Sequence, residues 1–229
     1  MSGGIFILSG AGLSAESGLK TFRAEDGLWE EHRVEDVATP EAFARDPALV
    51  QRFYNERRAA VAAAQPNAAH EALAQLQAAY DAPVHLVTQN IDDLLERAGA
   101  AVVIHMHGDV TLALCADCGH RWRAPVEMAV GEQCPACDAA AARPDIVWFG
   151  EIPYHMDRIQ AALEDSDLFV AIGTSGNVYP AAGFRQLAQQ LGIKTLELNL
   201  DTSGAAFDEV RTGPASKVVP AWVAEVLAH

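Results

Sequence analysis

Near its start the chain reads GAGLSAESGL (residues 10–19), directly after a short apolar run, Gly4 to Leu8. Gly10, Gly12 and Ala15 match the pattern G-x-G-x-x-A, in which small residues let backbone N–H groups and a helix N-terminus approach a pyrophosphate. A tight strand-to-helix turn would use the same residues. The stretch therefore predicts the first strand of an α/β fold, followed by a dinucleotide loop or a plain turn.

Apolar, β-branched runs recur along the chain with helical patterns between several of them. This alternation predicts an α/β fold, a Rossmann-like doubly wound parallel sheet with helices on both faces. The predicted strands are Ile5–Leu8, Val84–Thr88, Val102–His105, Ile146–Phe149, Leu168–Ile172 and Lys194–Leu198. The predicted helices are Ala42–Ala64, Ala68–Tyr80, His155–Glu164, Pro180–Leu191 and Pro220–Leu227. Asn67 is the expected N-cap of the second helix, with His70 as a capping or packing group.

The four cysteines form two Cys-x-x-Cys pairs, Cys115 with Cys118 and Cys134 with Cys137, and 15 residues separate the pairs. This spacing is typical of a tetrahedral zinc site, and four thiolates leave no coordination position for a substrate or water. We therefore expect one structural Zn²⁺ per chain, which stabilises a loop-rich lobe. Two redox-active dithiols are the alternative, but two such pairs at this separation suit one metal better than two disulfides.

Two stretches interrupt the alternation of strands and helices. Glu30 to Gln65 reads as helical with no strand, and Asp109 to Arg143 reads as Cys-rich and loop-like. We expect them to form a small domain, with residues 30–65 as its helical segment and residues 109–143 as its zinc-ribbon segment. Residues 1–29, 66–108 and 144–229 would then form the larger Rossmann-like domain.

The 229 residues carry a formal net charge of −15. Such a field repels nucleic acid and anionic lipid, so the sequence predicts neither a nucleic-acid nor a membrane partner. Met1 to Gly10 lacks the basic start and long apolar middle of a signal peptide, and no apolar run approaches the roughly 20 residues of a membrane span. We expect a cytoplasmic protein and a monomer.

A hydride-transferring dehydrogenase fits this pattern poorly. Such an enzyme would place an acidic residue at the end of a second strand, roughly 20 residues beyond the glycine loop, to hold a ribose. Here Trp29 to Arg33 reads WEEHR, which does not predict a strand.

The residues after the loop, Lys20-Thr21-Phe22-Arg23, resemble the signature of the sirtuin family, a GAG-x-S loop that ends in a Phe-Arg pair. The resemblance covers nearly the whole chain in order and is closest to the bacterial desuccinylase and demalonylase branch. It is carried further by TQNIDDLLERAG (Thr88–Gly99), HMHG (His105–Gly108), the four cysteines, VWFGE (Val147–Glu151), GTS (Gly173–Ser175), NLD (Asn199–Asp201) and GPAS (Gly213–Ser216).

The resemblance implies an NAD-dependent protein lysine deacylase, which strips acyl groups from acylated lysines of proteins and yields nicotinamide, free lysine and O-acyl-ADP-ribose. It also implies which residues bind NAD, and these segments follow predicted strands, where an open α/β sheet keeps its ligand crevice. The implied residues are Gly10, Ala11, Gly12, Ser14, Ala15, Glu16, Thr21, Phe22, Arg23 and Trp29 at the pyrophosphate and nicotinamide ribose, Gln89, Asn90, Ile91 and Asp92 at the ribose and nicotinamide pockets, and Gly173, Thr174, Ser175, Asn199, Leu200, Asp201 and Ala215 at the adenosine half.

His107 is implied to be the catalytic base. His105 and His107 are alternate residues of a predicted strand and so share a face, and His107 stands nearer the crevice, at the strand end. An ordinary imidazole titrates at about 6.5, so it accepts a proton at neutral pH. A buried histidine with only a structural role is the alternative.

The resemblance implies that Val147, Trp148 and Phe149 bind the substrate. This segment would pair with the substrate backbone as an added strand, a mode in which main-chain bonds supply most of the affinity. On a strand, Trp148 and Phe149 point to opposite faces, so one would be buried while the other faces the acyl-lysine tunnel. A buried core strand is compatible with this role.

Tyr54 and Arg57, three residues apart on a predicted helix, resemble the Tyr and Arg that the acidic-acyl branch places in its acyl pocket. A guanidinium grips a carboxylate through paired hydrogen bonds, which a lysine cannot copy. We therefore expect succinyl- and malonyl-lysine as substrates, with acetyl-lysine accepted as well. The alternative is a solvated face formed by Arg52, Arg57 and Arg58.

Two positions depart from the common family pattern. Lys20-Thr21 replaces Pro-Asp, as in the acidic-acyl branch, and Leu95 stands where the family usually has a histidine. Two other functions would use the same motifs: an ADP-ribosyl transferase or NAD glycohydrolase, and a non-catalytic module that binds NAD or a partner through the zinc segment. A non-catalytic module would not need a base at His107.

Overall fold

Eleven strands and eight α-helices make up the described part of this computed structural model, which covers residues 3–20, 28–29 (backbone only), 32–174 and 181–228. The strands are β1 (Gly4–Ser9), β2 (Leu28–Trp29), β3 (His32–Arg33), β4 (Val84–Thr88), β5 (Val103–His105), β6 (Gly108–Cys115), β7 (Arg121–Arg123), β8 (Ala142–Ile146), β9 (Ser166–Ile172), β10 (Lys194–Asn199) and β11 (Glu209–Thr212). The helices are α1 (Val34–Val37), α2 (Pro40–Arg45), α3 (Pro47–Ala63), α4 (Ala68–Ala79), α5 (Leu94–Arg97), α6 (Met156–Glu164), α7 (Ala181–Gln190) and α8 (Ala215–Leu227).

The main sheet has six parallel strands in the order β11-β10-β9-β1-β4-β5. From β1 the chain builds β4 and β5 on one side, then crosses over to build β9, β10 and β11 on the other. The winding therefore reverses between β1 and β9, and open α/β sheets bind ligands at the carboxyl ends of the strands at this point. The predicted doubly wound α/β fold is confirmed.

Strand β1 lies at the centre of the sheet and is buried on both faces. Ile5 and Ile7 pack in the cluster that includes Leu73 of α4 and Trp222 of α8. Phe6 and Leu8 pack in the opposite cluster, with helices α6 and α7. A strand covered on both faces reads as a continuous apolar run, which is why the sequence predicted it well.

The predicted helix Ala42–Ala64 is divided at Asp46. Helix α2 ends at Arg45, and the Asp46 carboxylate accepts a hydrogen bond from the Leu49 N–H while Pro47 occupies the first turn of α3. An N-cap followed by proline is a strong start signal for a new helix. Helix α8, in contrast, begins at Ala215, five residues before its predicted start at Pro220. Pro220 therefore lies inside the helix rather than at its first position.

Three strand predictions were wrong. Val147 to Phe149 is not a strand, since β8 ends at Ile146 and pairs antiparallel with β6 outside the main sheet. Residues 109–143 were expected to be loop-like, but β6, β7 and β8 form a three-stranded antiparallel sheet there. Residues 30–65 were expected to lack strands, but the two-residue strands β2 and β3 pair near their start.

The three-stranded sheet has little apolar core of its own. Its buried cluster consists of Ala113, Ala124, Met128 and Ala142, with Trp122 packed against it. Helices α1 to α3 form a separate cluster with Trp148, apart from the two clusters of the main sheet. The division into a large and a small domain, with its boundaries, stays a prediction.

Arg58 joins α3 to the three-stranded sheet. Its Nε donates to the Val110 carbonyl oxygen over 2.8 Å, and its Nη1 donates to the Val126 carbonyl oxygen over 3.1 Å. Burial lowers the pKa of the guanidinium to about 10. The predicted alternative of a solvated arginine face is therefore wrong for Arg58, although Arg52 is exposed.

The backbones after β1 and β9 touch at two glycines. The Gly12 N–H donates to the Gly173 carbonyl oxygen over 2.8 Å, and a Cβ on Gly12 would lie 2.7 Å from the Gly173 Cα. Gly173 has φ +59°, and a Cβ there would lie 2.4 Å from the Leu13 nitrogen. Only glycine at both positions allows this approach.

We predict that Gly173→Ala lowers the free energy of unfolding by about 3 kcal/mol, since strain at positive φ and a backbone clash add. Gly192→Ala is the matched control, because Gly192 has φ +74° and open space where a Cβ would stand. The control should lose only about 1 kcal/mol. Urea unfolding measures both values, and equal losses would contradict the role of the contact.

Candidate functional site

A cleft of about 820 Å³ opens at the carboxyl ends of β1, β4, β9 and β10 and reaches helix α3 and the segment after β8. Every described residue that the sequence predicted to bind NAD, to bind substrate or to act as a base lines it. They are Gly10, Ala11, Gly12, Ser14, Ala15, Glu16, Tyr54, Arg57, Gln89, Asn90, Ile91, Asp92, His107, Val147, Trp148, Phe149, Gly173, Thr174, Asn199, Leu200, Asp201 and Ala215. Thr21, Phe22, Arg23, Ser175 and the side chain of Trp29 lie outside the described residues.

A second cavity of about 830 Å³ lies between α8 and the strands β10 and β11. Four of its charged groups already have partners within the protein: Arg211 pairs with Glu209 and Glu225, and Asp208 accepts two hydrogen bonds from Thr195. The first cleft, in contrast, contains polar groups at the reversal point of the sheet. We therefore take the first cleft as the candidate site.

The glycine loop folds into two short 3₁₀ turns, Ala11–Leu13 and Ala15–Ser17, rather than into the start of a long helix. The expected helix N-terminus at a pyrophosphate is therefore not formed by this loop. The loop is fixed by its backbone instead, since the Gly10 N–H donates to the Ile172 carbonyl oxygen over 2.9 Å.

Glu16 links the glycine loop to helix α8. Its two carboxylate oxygens accept hydrogen bonds from the Ser216 N–H, over 2.9 Å, and from the Ser216 hydroxyl, over 2.8 Å. These bonds hold the pKa of the Glu16 carboxyl below its usual value. Glu16 therefore lines the cleft mainly as the cap of α8, a contact between residues 200 positions apart.

A buried hydrogen-bond network surrounds Ser14. The Ser14 hydroxyl donates to the Asp92 carboxylate over 2.9 Å and accepts from the Asn90 amide over 3.1 Å. His70 Nε2 lies 3.2 Å from the same hydroxyl, and His70 Nδ1 accepts from the Asn67 N–H. Because Nδ1 accepts, the proton of the neutral ring is on Nε2, which donates to Ser14.

Burial sets the charges in this network. It lowers the pKa of His70 to about 4, so the ring is neutral at physiological pH. It also raises the pKa of Asp92, against the opposing effect of the bonds from Ser14 and the Leu94 N–H. The sequence correctly predicted His70 as a capping group but missed its contact with Ser14, because that contact joins residues 56 positions apart.

Thr174 connects three loops at the end of the cleft that the sequence predicted to bind adenosine. Its hydroxyl accepts from the Gln89 amide over 3.1 Å, and its carbonyl oxygen accepts from the Asn199 amide over 3.0 Å. Buried Glu197 of β10 accepts from the Ser203 N–H, which fixes the loop after Asn199. The loops that follow β4, β9 and β10 are therefore held in one arrangement.

His107 lies two residues beyond the end of β5, not on a strand as expected, and its side chain reaches the cleft. Its Nδ1 lies 3.1 Å from the Gln89 carbonyl oxygen. A carbonyl only accepts, so Nδ1 carries the proton and Nε2 of the neutral ring carries the lone pair. Burial lowers the pKa of His107, although the bond to Gln89 opposes this effect. His107 can therefore accept a proton at neutral pH.

The segment Val147–Phe149 uses its backbone N–H groups within the protein. Val147 donates to the His107 carbonyl oxygen, Trp148 to the Glu151 carboxylate and Phe149 to the Ala38 carbonyl oxygen. A substrate strand would therefore pair with carbonyl oxygens of this segment. Trp148 is 3% exposed and Phe149 is 46% exposed, so one ring is buried and the other faces outward.

Trp148 is fixed by Arg143 and Glu151. The Arg143 guanidinium forms two hydrogen bonds with the Glu151 carboxylate, of 2.6 and 2.9 Å, and lies 3.5 Å from the centre of the Trp148 ring. Burial raises the pKa of Glu151, but the bonds from Arg143 outweigh this and lower it overall. The Trp148 indole N–H donates to the Tyr54 hydroxyl over 3.0 Å. Together these contacts position the Tyr54 ring.

Arg57 lies beside Tyr54 on α3, with its guanidinium 4.4 Å from the centre of the Phe53 ring. Its Nη2 lies 3.4 Å from the Glu56 carboxylate. Its Nε and Nη1 are buried and have no hydrogen-bond partner among the residues that the structure describes. Buried donors without partners are rare in proteins, so they indicate a ligand acceptor in the cleft.

The four cysteine sulfurs lie within 4.8 Å of one another. Cys115 Sγ is 3.7 Å from Cys137 Sγ, and Cys118 Sγ is 3.7 Å from Cys134 Sγ. A tetrahedron with Zn–S bonds of about 2.3 Å has sulfur–sulfur edges of about 3.8 Å. The donor set and its geometry therefore fit one Zn²⁺.

Leu95 is 4% exposed and packs in the core cluster that contains α4 and α8. It faces the protein interior rather than the cleft, so it makes no polar contact there.

None of the described helices is both long and apolar enough to cross a membrane.

Comparisons with known proteins identify the family of this chain. The model of the Sir2 family matches residues 10–180. An NAD-dependent protein deacylase of Caulobacter vibrioides is 54% identical over 98% of this chain and 97% of its own length.

Two solved structures share the fold over almost the whole chain. A Sir2 homolog–NAD complex is 38% identical, covers 97% of this chain and 89% of that one, and has a TM-score of 0.88. A Sir2–p53 peptide–NAD⁺ complex is 26% identical, covers 98% and 92%, and has a TM-score of 0.78. On the family match and on the identity to its curated relative, this chain belongs to the Sir2 family.

Proposed function

We propose that this protein is an NAD-dependent protein lysine deacylase. The observation that carries the proposal is His107, held in the cleft with Nδ1 protonated and Nε2 able to accept a proton. The curated relative bears the same activity in its name, and solved relatives hold NAD and a peptide. The net charge of −15 favours substrates with basic residues near the acylated lysine and disfavours nucleic acid.

The reaction consumes NAD, acyl-lysine and water and yields nicotinamide, lysine and O-acyl-ADP-ribose. NAD supplies the ribose that accepts the acyl group, with nicotinamide as its leaving group. Asn90, Asp92 and Ser14 form a rigid wall of the cleft through their mutual hydrogen bonds. In the chemistry that the family resemblance implies, the acyl oxygen would form a bond to the ribose carbon as nicotinamide leaves it. His107 Nε2 would then take the proton of the ribose hydroxyl that adds to the acyl carbon, and water would complete the release of lysine.

We predict that His107→Ala lowers kcat/KM for nicotinamide release with acyl-lysine peptide by at least about 100-fold. In the wild type the base is active when neutral, and burial lowers its pKa, so activity should fall only below about pH 6.5. His155→Asn is the control, since His155 is exposed and at φ +61°, which asparagine tolerates.

Product analysis separates the deacylase from its rivals. A deacylase forms O-acyl-ADP-ribose only when acyl-lysine is supplied, whereas an NAD glycohydrolase or an ADP-ribosyl transferase releases nicotinamide without it. Nicotinamide release without acyl-lysine at the full rate, or undiminished turnover in His107→Ala, would contradict the proposal.

We also propose that the acyl pocket accepts a carboxylate. The unpartnered Nε and Nη1 of Arg57 support this, because each is a buried cationic N–H group that can donate a charge-assisted hydrogen bond to a carboxylate oxygen of a succinyl or malonyl group. Tyr54 lies beside them, one turn away on the same helix, and its pKa is raised by burial, so its hydroxyl stays protonated.

Arg57→Met should lower kcat/KM for a succinyl-lysine peptide by about 30-fold, since a charge-assisted bond is lost. Deacetylation of the matched acetyl-lysine peptide should change by less than about 3-fold, because an acetyl group has no carboxylate to bind. Arg52→Met, exposed on the same helix, controls for loss of charge. An equal loss of kcat/KM on both peptides would disprove the proposed contact between Arg57 and the acyl carboxylate.

The four cysteines are proposed to hold one structural Zn²⁺, as their geometry supports. We predict one zinc per chain by elemental analysis after purification. Cys118→Ser should lose the metal and lower the melting temperature by about 10 °C, since the lobe has little other core. A chelator should have the same effect on the wild type, and the same chelator presaturated with zinc should have none. Zinc content well below one would contradict the assignment.

A further inference from the structure

His105 ends strand β5, two residues before His107, and contacts two groups at once. Its Nε2 lies 2.7 Å from the Glu96 carboxylate, and its Nδ1 lies 3.3 Å from the Asn90 carbonyl oxygen. The side chain is 14% exposed, so water competes little for either bond. His105 therefore connects helix α5 to the Gln89–Asn90 turn that forms the cleft wall.

Both partners of His105 are acceptors. A carbonyl oxygen carries no hydrogen, and an ionised carboxylate carries none either. Both bonds can form together only when both ring nitrogens carry a hydrogen, which means an imidazolium. His107 differs, because its one bond to Gln89 needs a single N–H. The geometry thus favours a positively charged ring at His105 and a neutral ring at His107, only two residues apart.

The surroundings of His105 favour the positive charge. Glu96 of α5 bonds to it, and Asp109 of β6 and Asp92 of the cleft wall interact with it electrostatically. Asp93 interacts electrostatically with Asp92 and Asp109, and its own cationic neighbours are Arg97, at 3.7 Å, and Arg123, at 3.9 Å. Burial lowers the pKa of His105, but Glu96, Asp109 and the Asn90 carbonyl outweigh it and raise the pKa overall.

We propose that His105, as an imidazolium, is a positioning residue that fixes the Gln89–Asn90 turn for NAD binding. The two carbonyl oxygens of this turn accept from the two histidines, so the turn is held on one side by His107 and on the other by His105. Its side chains meet Thr174 and Ser14 in the cleft. The inference rests on the proposed NAD-dependent function.

Loss of the His105 proton would break one of the two bonds, because a neutral ring has a single N–H. Its folded-state pKa is raised, so both bonds are present below that value and one is lost as pH rises through it. The turn should then loosen, and the affinity for NAD should fall at alkaline pH. The positive charge of His105 also lowers the pKa of Asp92, so loss of that charge would raise the pKa of Asp92.

The protonation state can be measured directly by NMR of ¹⁵N-labelled histidine side chains. The signals missing from His105→Asn assign those of His105 in the wild type. We expect both His105 nitrogens to be protonated at pH 7 and the ring to titrate above the ordinary histidine value of about 6.5. In Glu96→Gln the titration should move to lower pH. Glu41→Gln, an exposed carboxylate on α2, is the control and should leave it unchanged.

Calorimetric titration with NAD tests the positioning role. His105→Leu loses both bonds and should weaken NAD binding by about 10-fold at pH 7, with an equal rise in KM for NAD and a smaller change in kcat. His105→Asn places its amide nitrogen where Nδ1 stands and should recover most of that affinity. The NAD affinity of the wild type should fall at alkaline pH. The affinity of His105→Asn should not show this fall, because an amide does not titrate.

A neutral His105 at pH 7, or wild-type NAD affinity and pH profile in His105→Leu, would overturn the proposal. His155→Asn controls for histidine loss elsewhere. The histidine NMR and the NAD titrations need no turnover, so they still decide the role of His105 if the protein proves not to be a deacylase. Conversely, an active deacylase with a neutral His105 would refute this inference alone.

Discussion

The close approach of two backbones, at Gly12 and Gly173, is the constraint on which the cleft depends. These glycines follow β1 and β9, the two strands between which the winding of the sheet reverses. Because neither glycine carries a side chain, the two loops hydrogen-bond directly through their backbones. No side chain at either position fills the cleft that the loops line. Ser14, two residues further on, then meets Asp92 from the loop after β4. The polar wall of the site is thus placed by a contact that involves no polar side chain.

Much of the main sheet could be predicted from sequence, since its central strands are buried on both faces and read as apolar runs. The family motifs also pointed to residues from distant parts of the chain that line one cleft, and the cysteine spacing pointed to four sulfurs that lie together elsewhere. The prediction failed where structure depends on long-range pairing. Strand β8 contains Arg143, Pro144 and Asp145, which do not read as a strand, and it forms because β6 pairs with it.

Individual contacts in the site were also beyond the sequence. Glu16 and Ser216, or Ser14 and His70, are far apart along the chain, and no periodicity brings them together. The sequence placed His105 and His107 on one face of a strand and separated them only by position, with His107 nearer the crevice. Their difference arises from which carbonyl and which carboxylate each ring meets after the chain turns out of β5. The residue type determines which charge states a histidine can adopt, and the groups around it in the folded protein determine which state is favoured.

The proposed acyl pocket depends on the metal-bearing sheet, although no cysteine is near it in the cleft lining. Tyr54 and Arg57 belong to α3, and Arg58 of the same helix is anchored on carbonyl oxygens of Val110 and Val126. Arg143 of β8 fixes Trp148, which in turn bonds to Tyr54. Both sides of the pocket therefore rest on β6 and β8, whose own core is four small or flexible side chains. A sheet with so little apolar contact needs the tetrahedral cross-link between its ends. A metal held by the four cysteines would thereby help to maintain the positions of Tyr54 and Arg57 without contacting the substrate.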